Sequence, residues 1–154
     1  MVGGFAIIYY EYVRTTHNID FLLFPSEENA SRVMKALTEF GSGNAGIPEE
    51  CFTKEGTAIH IGVEPNRIDF LTTLKGISNT EIFKHIERAD FEGMTLNTIS
   101  RPDLLQSKKA SNRLKDLADA EELESYRHGN NNALYRGYIA QTSNPTAITK
   151  HGGL

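Results

Sequence analysis

At 154 residues, with 39% hydrophobic and 23% charged side chains, the chain has the length of one domain and enough apolar content to bury a core without disulfides. The formal charge of −4 gives no general attraction to polyanions, so a polyanionic partner would need a local basic patch. A single cysteine, Cys51, excludes an internal disulfide and a cysteine-rich zinc site; no apolar run reaches the roughly 18 residues of a membrane span and no basic leader opens the chain, so the reading is cytoplasmic.

In chain order, Gly3-Gly4 forms a turn that leads into a buried apolar helix over Phe5 to Val13. Asn18 to Phe24 is a short apolar run ended by Pro25, the pattern of an inner strand. Ser26 caps a helix from Glu27 to Phe40, with two acids at its positive end, Val33, Leu37 and Phe40 at helical spacing, and Gly41 as the stop. Thr57 to Val63 and Arg67 to Thr72 predict a hairpin around Glu64-Pro65-Asn66. Ser78-Asn79-Thr80-Glu81 is a capping box before a short helix, and Ala89 to Ile99 predicts a second hairpin around Glu92-Gly93. Ser100 to Asp103 repeats the capping logic for a helix through Lys109, and a last helix runs from Lys115 to Tyr126. The expected division is a domain over 1–128 and a polar, partly mobile tail over 129–154, with a short helix near 133–141.

Residues 18 and 20 lie two apart on one strand, so their side chains leave the same face, and Asp69 on a neighbouring strand can meet them there. Carboxylates so placed can hold a divalent ion, while a glycine turn at a helix start lets backbone N–H groups approach a phosphate. Asp69 interrupts the apolar run Ile68-Asp69-Phe70-Leu71, where an unpaired buried acid would be costly. Bland readings stand beside these. Gly3-Gly4 also fits a plain tight turn, Arg14 and Arg67 fit simple neutralisation of the acids, and Lys115, Asp116 and Asp119 fit a solvated helix start. The histidines, His17, His60, His85, His128 and His151, lack zinc-ligand spacing and read as surface or core residues, with His17 alone near the motifs.

In order, Gly3-Gly4, Arg14-x-Thr16-x-Asn18-Ile19-Asp20 and Arg67-Ile68-Asp69 resemble the motifs of nucleotidyltransferase-fold proteins. Lys108-x-Ala110-x-x-Arg113-x-Lys115-Asp116-Leu117-Ala118-Asp119 resembles the ending of the small bacterial branch that includes AbiEii-type toxins, and the likeness spans residues 2 to 125. The resemblance implies an α/β (α+β) fold: a mixed sheet flanked by helices, shortened at the N-terminus, where such proteins carry a further helix and a complete first strand. It implies Mg²⁺ and a nucleoside triphosphate in a cleft, with Gly3 and Gly4 on the phosphates, Asn18, Asp20 and Asp69 as metal positions, and Asp20 and Asp69 as the catalytic acids, the latter as base. Lys108 and Asp116 would be cleft residues on the nucleotide. Asn18 stands where the pattern has an aspartate.

The expected reaction is transfer of a nucleoside monophosphate to an acceptor that the residues do not specify. The alternative is a catalytically silent nucleotide- or protein-binding member of the fold, one half of a toxin–antitoxin pair or a mobile-element cargo protein. Strand edge and exposed Phe5, Ile7, Ile8 and Tyr9 near the chain start predict a homodimer.

Overall fold

The computed structural model describes residues 1–10, 16–43, 45–63, 66–91 and 93–125, and over them the chain has a mixed α/β fold. Its elements are α1 (Gly3–Tyr9), β1 (Asn18–Leu22), α2 (Glu27–Glu39), a 3-10 turn (Glu49–Phe52), β2 (Ala58–Val63), β3 (Asn66–Leu71), α3 (Asn79–Lys84), β4 (Glu87–Phe91), β5 (Met94–Thr98), α4 (Arg101–Ser111) and α5 (Leu114–Ser125). Three helices start where serine can accept from a free backbone N–H. The Oγ atoms of Ser26, Ser78 and Ser100 accept from Asn29, Glu81 and Asp103 at 3.2, 3.3 and 3.4 Å, contacts each worth about 1 kcal/mol. Arg14, the segment 129–154 and the helix expected near 133–141 lie outside the described residues.

Helix α1 departs from its sequence reading. Gly3 and Gly4 are its first two residues rather than a turn ahead of it, and it ends at Tyr9. Ile7, expected at an open edge, is fully buried, and Phe5, Ile8 and Tyr9 are half-buried. The reason is packing: Ile7 joins Val2, Ala6, Ile82, Ile99, Leu104 and Leu123 in one of two core clusters.

The first sheet has the order β1-β3-β2, with β1 parallel and β2 antiparallel to β3; β4 and β5 form a separate hairpin. β3 is therefore central, and β1 is an edge strand rather than the inner strand its apolar run suggested. Its outer side meets Val2, whose N–H donates to the Asp20 carbonyl at 2.9 Å. Met1 reaches the other sheet: its carbonyl accepts from Ile99 N at 3.1 Å, and its amino group donates to the Asn97 carbonyl at 2.5 Å. Residues 1 and 2 thus lace the two sheets together, which is how Val2 comes to be core.

Strand alternation sorts the two faces of the first sheet. Ile59, Ile61 and Phe70 pack with Ala30, Leu37 and Phe52 beneath α2. The opposite face carries Asn18, Asp20, Arg67 and Asp69, roofed by α4 and α5. Among the described residues no helix is long and apolar enough to cross a membrane.

Candidate functional site

The β1–β3–β2 register builds the site in two rows. Asp20 pairs with Asp69 and Asp69 with His60; one step along, Asn18 pairs with Arg67 and Arg67 with Gly62. Neighbouring strands lie about 4.8 Å apart, so the two carboxylates are adjacent on one face. A cavity of about 260 Å³ opens over them, and every residue singled out from the sequence lines it: Gly3, Gly4, Asn18, Asp20, Asp69, Lys108 and Asp116. Thr16, Arg67, Ser111, Arg113 and Lys115 complete its polar wall.

The glycines answer to close approach. Gly3 has φ +65°, and a Cβ there would stand 2.0 Å from Asp20 Oδ2; a Cβ on Gly4 would stand 2.4 Å from Thr16 Oγ1. The Gly4 N–H bonds the Asp20 carboxylate. The anion lying at the glycine turn is thus the protein's own aspartate. Burial raises the carboxyl of Asp20 above its ordinary value, and the neighbouring charge of Asp69 adds to this; the Gly4 N–H and the fields of Lys108 and Lys115 only partly offset them.

Asp69 lies one strand away under the opposite balance. Its burial would raise it, but hydrogen bonds from Arg67 and His60 prevail and hold its carboxyl below the ordinary value. Arg67 grips both oxygens, Nε to Oδ1 at 2.7 Å and Nη2 to Oδ2 at 2.9 Å, and His60 Nδ1 meets Oδ1 at 2.8 Å. The neutralising role read for Arg67 from the sequence is present, in bidentate form.

The facing wall is helical. Lys108 of α4 donates to Asp116 Oδ1 at 2.6 Å and to Asp119 Oδ2 at 2.8 Å, both on α5. Ser111 also donates to Asp116, and Arg113 Nε reaches its Oδ2 at 2.5 Å. Burial works against ionising Asp116, yet the hydrogen bonds from Lys108, Ser111 and Arg113 prevail and carry its carboxyl down to about 2. Asp116 and Asp119 are buried, not the solvated helix start that their spacing also allowed. Left-handed Asn112, φ 56°, makes the corner that folds α5 back on α4 and closes this ion network.

The fit of the donors to a divalent ion is specific but thin. Among the described residues no group of three or more His, Cys, Asp or Glu side chains converges as a metal site. Asn18 Oδ1, however, is buried without a hydrogen-bond partner, on the same face as Asp20. An orphaned acceptor beside a carboxylate suits a small hard cation, and Mg²⁺ is commonly held by one or two protein oxygens together with substrate phosphates and water. Asp69, with both oxygens engaged, is not available to it in this arrangement.

His60 is the site neighbour that sequence reasoning passed over. The hairpin register could have found it, because a turn centred on Glu64-Pro65 already sets residue 60 opposite residue 69. No protein-family model and no curated protein matches this chain.

Proposed function

We propose that the cavity between β1, β3 and the α4–α5 corner is the donor site of a nucleotidyltransferase-like protein, which takes a nucleoside triphosphate and transfers its nucleoside monophosphate to a hydroxyl-type acceptor. The observation that carries this reading is the convergence on one cavity of motifs from four separate stretches of chain, with an orphaned acceptor at Asn18. Asp20 and Asn18 Oδ1 would hold Mg²⁺, which when bound neutralises the triphosphate. Lys115 and Arg113, exposed at the rim, would meet the phosphates, and Lys108 would face them from the wall. Asp116 keeps Lys108 charged and in place.

A second reading has its own support. With Asn18 in place of an aspartate and Asp69 committed to Arg67 and His60, the same cavity suits a silent nucleotide binder whose role is carried by a protein partner, an antitoxin or a second copy of the chain. Calorimetry with ATP, GTP, CTP and UTP, with and without Mg²⁺, separates the two when combined with variants. For a donor site, binding depends on Mg²⁺, strengthens in Asn18→Asp and disappears in Asp20→Asn. If Asn18→Asp brings no Mg²⁺-dependent gain and lowers the melting temperature, Asn18 is a buried structural amide and the donor reading fails.

A further inference from the structure

We propose that His60, held by Asp69, is the general base of the transfer, so that the acceptor hydroxyl approaches from the β2 side of the cavity. This rests on the donor-site reading above. Three facts converge on it. Asp69 stands between Asp20 and His60 in one row across three strands. Its carboxylate is engaged through both oxygens by Arg67, and hydrogen bonding keeps it ionised, which makes it a poor proton acceptor. The His60 side chain is 52% exposed while its Nδ1 lies 2.8 Å from Asp69 Oδ1.

The proton positions follow from chemistry. An ionised carboxylate can only accept, so Nδ1 of His60 must carry the hydrogen, and in the neutral ring the lone pair is then on Nε2. Asp69 fixes that tautomer and would stabilise the imidazolium once it forms, the division of labour seen wherever a carboxylate orients a catalytic histidine. Two strand spacings place the His60 backbone about 10 Å from that of Asp20. An α-phosphate over Asp20 and an acceptor oxygen over Asp69 fit that interval.

The step balances without a further reactant. The acceptor O–H gives its proton to Nε2, and the acceptor oxygen forms a bond to the α-phosphorus. The bond from that phosphorus to the oxygen bridging the β-phosphate breaks, and pyrophosphate leaves with the electron pair. His60 then returns its proton to solvent.

His60→Gln and His60→Ala test the assignment, since glutamine keeps a donor for Asp69 but offers no base. The probes are the four nucleoside triphosphates labelled at the α-phosphate with Mg²⁺, total cellular RNA and the protein itself as acceptors, and added imidazole. Both variants should bind the nucleotide within about twofold of the native protein but transfer label about 10²- to 10⁴-fold more slowly, and imidazole should restore part of the rate to His60→Ala. Equal transfer by His60→Gln and the native chain overturns the proposal, as does a loss confined to nucleotide affinity. Nucleotide binding with no transfer by the native chain overturns it too, while absence of Mg²⁺-dependent binding removes the donor-site reading beneath it.

Discussion

The two walls of the cavity both bury aspartates but treat their charge in opposite ways. On the helical wall, Asp116 and Asp119 share the Lys108 ammonium, Ser111 and Arg113 complete the shell of Asp116, and the carboxyl of Asp116 falls to about 2. On the sheet wall, Asp20 has a single backbone N–H from Gly4 and a like charge beside it, and its carboxyl rises. A cluster compensated from within is complete as it stands; one left short of positive charge is stable in ionised form only when a cation comes from outside. The contrast assigns structure to one wall and binding to the other.

The largest effect should come from breaking the complete wall. Lys108→Met strands two buried carboxylates, and loss of one partner from a buried pair costs about 3–5 kcal/mol. Urea unfolding should show that loss, and Lys108→Met combined with Asp116→Asn and Asp119→Asn should recover most of it. If the triple variant is no more stable than Lys108→Met, the ion network is not what holds α4 to α5.

Next in size is the contact that makes the sheet wall tight. Gly3→Ala forces alanine into left-handed backbone, about 1–2 kcal/mol, and also drives its methyl into Asp20. The same substitution in an Asp20→Ala background should cost only the conformational part. A double-mutant cycle measures the difference; a coupling of zero would mean that Asp20 moves away freely and does not rest on the glycine.

The comparison also explains what was legible in the sequence. Ser26, Ser78 and Ser100 announce their helices because a cap is a local bond between residues three apart. Asp20 and Asp69 could be placed together because strand alternation and the hairpin fix which face each leaves. The lacing by Met1 and Val2 could not be read, since it needs two sheets brought side by side, and β1 was taken for an inner strand because its run is apolar on both faces. The burial of Asp119 was likewise hidden: it depends on α5 turning back at Asn112, a left-handed corner that a sequence Ser111-Asn112-Arg113 permits but does not require. Local chemistry was readable, and closure between distant segments was not.

The smallest effect is a difference in pH slope, and it tests the contrast most directly. The folded carboxyl of Asp116, at about 2, lies below its ordinary 3.8. Its stabilisation is therefore complete above about pH 4 and is lost as pH falls towards 2. Asp20 runs the other way, because its folded carboxyl lies above the ordinary value. Its favourable contribution belongs to the protonated form, is present below about pH 4, and disappears as pH rises through the folded value. Urea unfolding of the native chain, Asp20→Asn and Asp116→Asn in metal-free buffer between about pH 3 and 7 compares the two. Asp116→Asn should be most damaging near neutrality and less so in acid. Asp20→Asn should gain on the native chain as pH rises, because the amide removes a charge that the sheet wall does not pair. Parallel curves for Asp20→Asn and the native chain would mean that Asp20 is already compensated within the fold, and the sheet wall would lose its claim to an external cation.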